Sequence, residues 1–316
     1  ISEDGHKGET YDFCISNPPF GTPWKEDLKK WGLADSEKKK ISDPRFKFVY
    51  DDNPDFNVIP GIGDPQMLFL ANNVSRMKHS TKLGTRIVEV HNGSSLFTGD
   101  AGGGESNLRR FIIENDMLEA IIAMPEKDFY NTGIGTYIWI VTNRKEARRK
   151  GKVQLIDATA IKTPLRKNLG EKNCETNDDD RKKILDLLMA FEENEYSKIF
   201  PNEEFGYWEV ELFKPAKDES GNVIKDKKGK VKMAKVKGEV EQIPFTYPGG
   251  IEAFHKNEVL PYEPEEAFGE PTIGYELSFT KYFYKPVQLR SIAEITADIR
   301  DIEKSTEGLL NEILER

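Results

Sequence analysis

The chain of 316 residues carries 46 Lys and Arg against 55 Asp and Glu, a net charge of −9, and only two cysteines, Cys14 and Cys174. That balance excludes a globally basic nucleic-acid coat and a disulfide scaffold, and so few cysteines fit a reducing, cytoplasmic setting. No membrane span is expected: mean hydropathy is −0.63, and the apolar runs at 121–124 and 137–141 fall far short of the roughly 18–20 residues required.

Tyr11-Asp12-Phe13-Cys14-Ile15-Ser16 predicts a short, largely buried strand, closed by Asn17-Pro18-Pro19. Residues 21–63 are polar and lack a sustained period, which predicts a long loop with a helical turn near 25–30. Asp64-Pro65 predicts a helix start, and Met67, Phe69, Leu70, Val74 and Met77 carry that helix to about residue 79. Strands are expected over 85–90, 118–124, 135–142 and 152–157, with a Gly-rich loop at 99–104 leading into a helix over 106–115. Strands alternating with helices predict an α/β sheet.

The composition shifts after residue 163. An amphipathic helix over 178–196 is built on Ile184, Leu187, Leu188 and Phe191, followed by a strand over 207–213. Residues 225–237 hold seven lysines around Gly229 and predict an exposed basic hairpin; 251–260 predicts a short helix. Over 287–316 there is no Pro and one Gly, and Ile292, Ile295, Ile299, Ile302, Leu309 and Ile313 form a coiled-coil seam suited to a partner helix.

The sharpest chemical signal is Asn17-Pro18-Pro19-Phe20 at the C-terminal end of a strand, where open α/β sheets bind ligands. The nitrogen of an amide or of adenine's exocyclic amine is a poor nucleophile because its lone pair is delocalised. The Asn17 side-chain oxygen and the Pro18 carbonyl suit its two hydrogens, drawing the nitrogen toward tetrahedral geometry with its lone pair outward. Two prolines stiffen the turn, and Phe20 offers a stacking face for an extruded base, worth about 1–3 kcal/mol. The alternative is a rigid strand-ending turn.

Other candidates are weaker. Gly102–Gly104 before a helix is a candidate phosphate cradle but lacks the spacing and Lys of a P-loop. The four histidines show no Cys or carboxylate at ligand spacing, so no metal site is expected. Six basic residues between Arg144 and Lys152, and the lysine hairpin, are candidates to track phosphates, though charge runs are more often only solvated.

These residues carry a wider likeness. With Asn17–Phe20 stand Tyr11-Asp12-Phe13 before it, Asp100-Ala101-Gly102 leading to Arg109-Arg110-Phe111, and Phe129-Tyr130-Asn131-Thr132-Gly133-Ile134. Further on come Leu155-Ile156-Asp157-Ala158, Ile273-Gly274-Tyr275-Glu276 and Phe279-Thr280-Lys281-Tyr282. Over essentially its whole length the chain resembles the modification subunit of type I restriction–modification systems, an adenine-specific DNA methyltransferase. The resemblance implies a partial Rossmann-like class I methyltransferase sheet over 1–163, a C-terminal α+β extension over 164–286, and a long C-terminal helix over 287–316. It also implies S-adenosylmethionine as donor, a flipped adenine held at Asn17, Pro18, Pro19 and Phe20, and DNA, a specificity subunit and a restriction subunit as partners.

The family's Gly-rich donor motif lies upstream of this turn and is absent here. The chain is therefore expected to be the C-terminal part of a longer subunit, with a strand over 11–16 left as an exposed edge and little activity alone. Two readings compete: a docking module for the specificity subunit, and a methyltransferase acting on protein glutamine amides, against which the long extension and tail argue.

Overall fold

A computed structural model describes residues 1–19, 21–53, 56–130, 133–284 and 291–306. The apolar run Phe13-Cys14-Ile15 opens β1 (Phe13–Ser16), and the chain then turns through α1 (Lys25–Lys30) and two 3-10 turns, residues 35–40 and 44–46. The described residues of the expected loop over 21–63 thus form a cover that buries Trp24, Leu28, Ile41, Phe46, Val58 and Ile59. The Trp24 ring nitrogen donates to the Gly61 carbonyl at 2.8 Å, tying its two ends together. Irregular spacing of those apolar residues hid this from periodicity.

Helix α2 (Gln66–Ser75) starts where Asp64 Oδ1 accepts the Gln66 amide at 3.1 Å. It stops four residues short of expectation because Met77 bridges to Tyr11 at the sheet margin. Next come β2 (Arg86–Asn92), α3 (Ser94–Phe97), α4 (Gly104–Glu114), β3 (Leu118–Ala123), β4 (Thr136–Thr142) and β5 (Lys152–Asp157). The hairpin β6 (Thr163–Leu169) and β7 (Lys172–Glu175), too polar to show as strands, leads to α5 (Asp178–Ala190) and β8 (Ser197–Pro201). Asn177 and Asp180 form a reciprocal capping box at the start of α5, and Phe191, in the left-handed region at φ 52°, ends the helix before residue 196.

The six strands β1-β2-β4-β3-β5-β8 make one mixed sheet. β1 runs parallel to β2, β2 and β3 antiparallel to β4, β3 parallel to β5, and β5 antiparallel to β8. The sheet therefore continues past residue 163. Ala120, Ile122, Ile140 and Ile156 pack on one face with Ile184 of α5, where Leu187 and Leu188 also meet them. The opposite face carries Ile87, Ile121, Trp139 and Leu155, all fully buried.

β1 departs from its expected burial. Cys14 is buried, but Phe13 and Ile15, on the α5 face, are 63% and 83% exposed at the sheet's edge. Among the described residues only β2 neighbours β1, and Phe13 and Ile15 stand uncovered on that face.

A second sheet, β10-β9-β11 with β12 also on β9, is formed by β9 (Gly206–Pro215), β10 (Met233–Pro244), β11 (Ala267–Phe268) and β12 (Thr272–Tyr275). Between β10 and β11 lies α6 (Gly250–Phe254), which runs on as a π turn over 255–259. Arg109 of α4, fully buried, donates to the carbonyls of Tyr275 (2.5 Å), Ser95 (3.0 Å) and Thr98 (2.9 Å), joining β12 to the first sheet's connections.

Residues 1–278 form one unit and 279–316 another. The second contains α7 (Phe279–Phe283), in which Phe279 and Phe283 stack at 5.5 Å, and α8 (Ile292–Thr306). Ile292, Ile295, Ile299 and Ile302 of α8 are exposed. The expected seam residues Leu309 and Ile313 lie outside the described residues.

Candidate active site

The Asn17 turn follows directly on β1, at the C-terminal end of two parallel strands. Pro18 is buried while Asn17 and Pro19 are exposed; Phe20 lies outside the described residues. Among the described residues, none bonds to the Asn17 side-chain amide, which leaves its oxygen and nitrogen available to a ligand.

What fixes the turn is a buried polar network one residue behind it. Ser16 pairs with Glu89 across β1 and β2, and its hydroxyl donates to Glu89 Oε2 at 2.6 Å. Asn73 of α2 donates to the same carboxylate oxygen and, at 3.0 Å, to Ser16 Oγ. Glu89 Oε1 meets His91 Nε2 at 3.0 Å. Glu89 and His91 are both fully buried, and the His91 ring lies 5.4 Å from Trp139, whose ring nitrogen donates to Ser95 Oγ. Among the described residues His91 Nδ1, a buried atom, has no hydrogen-bond partner. Burying a carboxylate is costly unless its oxygens are satisfied, and this one accepts from three sides. Burial also pushes the Cys14 thiol up, with the Glu89 charge adding to it.

A second cluster rings the end of β2. Gln66 Nε2 donates to Asn92 Oδ1 (2.7 Å) and Ser94 Oγ (2.8 Å), and its Oε1 accepts the Asn92 amide (3.0 Å). Sequence reasoning missed Asn73, Glu89, His91, Gln66 and Asn92. The signal available was Glu89 and His91 in alternation with Val88 and Val90, on the same face as Ile87.

Much of the basic run between Arg144 and Lys152 is engaged within the fold. Lys145 is buried against Asp116 at 2.6 Å. Arg149, also buried, reaches the Gln154 oxygen at 3.0 Å and the carbonyl of Leu188. Arg148 donates to the carbonyls of Met189 and Ala190, so two arginines cap the C-terminus of α5. Arg144 donates to the carbonyls of Asn143 and His79 at 2.8 and 2.6 Å, so four of the six bond within the fold.

Comparison with known proteins now decides the family. The family model described as N-6 DNA methylase matches residues 1–212, two thirds of the chain. The chain belongs to the N-6 DNA methylase family. It is 28% identical over 193 residues to the type I restriction enzyme MjaIX methylase subunit of Methanocaldococcus jannaschii, a match covering 61% of this chain and 30% of that protein. It is 27% identical over 194 residues to the HindI methylase subunit of Haemophilus influenzae, covering 61% and 36%. The crystal structure of the type I restriction-modification system methyltransferase subunit from Streptococcus thermophilus overlays with a TM-score of 0.48 at 20% identity, covering 64% of this chain and 36% of that one. The chain thus spans about a third of the length of these curated relatives.

Gly102–Gly104 is the expected candidate for a phosphate cradle at the start of α4. The loop does not fit that role. A Cβ on Gly104 would lie 1.9 Å from the Ile59 carbonyl oxygen, and one on Gly103 would lie 2.8 Å from that of Asp100. The glycines are there because backbone passes over the start of α4, and they leave no open cradle.

Proposed function

We propose that this methylase chain supplies the amine-holding part of an S-adenosylmethionine-dependent methyltransferase acting on the exocyclic amine of adenine in DNA, within a type I restriction–modification system. Asn17 carries the reading: an unengaged, exposed carboxamide at the end of a parallel strand, followed by two prolines. Its side-chain oxygen and the Pro18 carbonyl accept the two amine hydrogens and turn the lone pair outward, while Phe20 stacks on the base. No strong base is needed, because the donor's sulfonium methyl is already activated; positioning supplies the rate. The Ser16–Glu89–Asn73 network supports this by holding the strand end rigid.

The partial Rossmann-like sheet of this reading is supported by the free edge of β1. Phe13 and Ile15, apolar and uncovered, suit a further strand and helix of the same domain, and the donor site belongs to that neighbour. The chain by itself then binds S-adenosylmethionine weakly; a calorimetric titration giving micromolar affinity would count against this. The exposed isoleucines of α8 support docking to a helix of the specificity subunit, with the restriction subunit joining that assembly. Glutamate at Ile295 and Ile302 should abolish co-purification with the specificity subunit while leaving melting unchanged.

The decisive experiment is transfer of labelled methyl to duplex DNA by the full subunit with its specificity subunit. Asn17→Ala should lower transfer at least about a hundredfold, the scale of a lost positioning group, with unaltered melting. An unchanged rate overturns the assigned role.

A further inference from the structure

Residues 217–237 hold eight lysines against three carboxylates, a net of +5, in a chain whose total is −9, leaving −14 elsewhere. All eight lysines are exposed. They do not sit on a shapeless loop. Ala216 N donates to the Lys232 carbonyl, Ile224 N to that of Ala216, and Lys232 N to that of Ile224, at 2.8–2.9 Å, lacing three short segments together. Two tight turns connect them. Asp218 accepts the amides of Ser220 and Asn222, and Asp226 those of Lys228 and Lys230, at 2.8–2.9 Å.

Two of the three carboxylates are therefore engaged by backbone amides rather than by lysines. Among the described residues only Lys235 of the eight has an ion pair, with Glu211 at 2.5 Å. Like charges gathered on adjacent extended segments repel, so this ordered ribbon holds seven unpaired ammonium groups at a cost that a polyanion would relieve. The family's substrate class names the polyanion: duplex DNA presents a phosphate for every ~1.7 Å of axis. Lysines on flexible stems, with no aromatic or Asn/Gln among them apart from the turn residue Asn222, suit phosphates rather than base edges.

We propose that the ribbon over 217–237 is a phosphate-contacting surface for duplex DNA, independent of sequence. This rests on DNA being the substrate. The test is anisotropy of a labelled mixed-sequence duplex titrated with the 316-residue chain across a salt series. It is repeated with Lys225→Gln, Lys227→Gln, Lys228→Gln and Lys230→Gln combined, which leaves Asp226 and Gly229 of the turn in place; circular dichroism checks the fold. Affinity should fall at least about tenfold at ~0.1 M salt, and the slope of log K against log salt should shrink by about 3–4, near 0.9 per lost contact. Equal affinity and slope in both proteins overturn the proposal. So does a wild-type chain that binds polyglutamate and not the duplex, which would mark the ribbon as a surface for an acidic protein. Because the readout is duplex binding, a chain inactive in methyl transfer still reports on the ribbon, and failure here leaves the Asn17 reading standing.

Discussion

The Ser16 hydroxyl donates to the Glu89 carboxylate at 2.6 Å across β1 and β2, so a fully buried acid anchors the residue directly before Asn17. The same acid is held by Asn73 of α2 and His91 of its own strand, and the strand end is thereby bolted to the layer behind it.

Replacing Glu89 by Gln keeps the volume but puts an amide hydrogen where three donors converge. Stability should fall by about 2–4 kcal/mol, as for other broken buried networks. Urea denaturation measures it. A midpoint equal to wild type would mean that the network does not hold the site.

Gly104→Ala forces a methyl into the Ile59 carbonyl, 1.9 Å away. Both partners are backbone and cannot swing aside, so a loss of about 2–4 kcal/mol is expected. Gly133→Ala meets nothing nearer than 3.9 Å and serves as the control, with little change in melting temperature.

Arg109→Met fills similar space but strands three carbonyls, those of Tyr275, Ser95 and Thr98. Burial already pulls the Arg109 guanidinium down to about 10, so its charge is retained at neutral pH. The loss should reach about 3–5 kcal/mol. Hydrogen exchange should show it as faster opening of β12.

Acid should weaken the first unit through Asp43. Burial opposes its charge, yet the Arg45 side chain and amide bind both carboxylate oxygens at 2.6–3.0 Å and hold the carboxyl below its usual value. A carboxyl depressed in the folded state adds stability that is complete above the unfolded value near 4 and is lost as pH falls through the folded one. Asp43→Asn should therefore cost about 1–2 kcal/mol at pH 7 and show a shallower loss of stability below about pH 4. Parallel pH profiles of melting for the two proteins would contradict this.

The sequence by itself determined the elements with strong local signals. Val and Ile runs marked β2 to β5 of the first sheet but not β8, Asp64-Pro65 marked the start of α2, and the Asn17 turn was legible because two prolines end a strand in only a few ways. Tertiary structure decided the rest. Whether a basic run meets solvent or caps a helix depends on what lies opposite, and Arg148 and Arg149 turned out to face the end of α5, while among the described residues only Lys235 of the 217–237 lysines forms an ion pair, with Glu211. The cover over 21–63 buries aromatic residues through contacts distant in sequence, so no local period announces it. The strand over 85–90 is expected without any assignment of which way Glu89 faces. Only the register of β1 on β2 brings Ser16 beside it, because cross-strand neighbours are set by pairing and not by sequence separation.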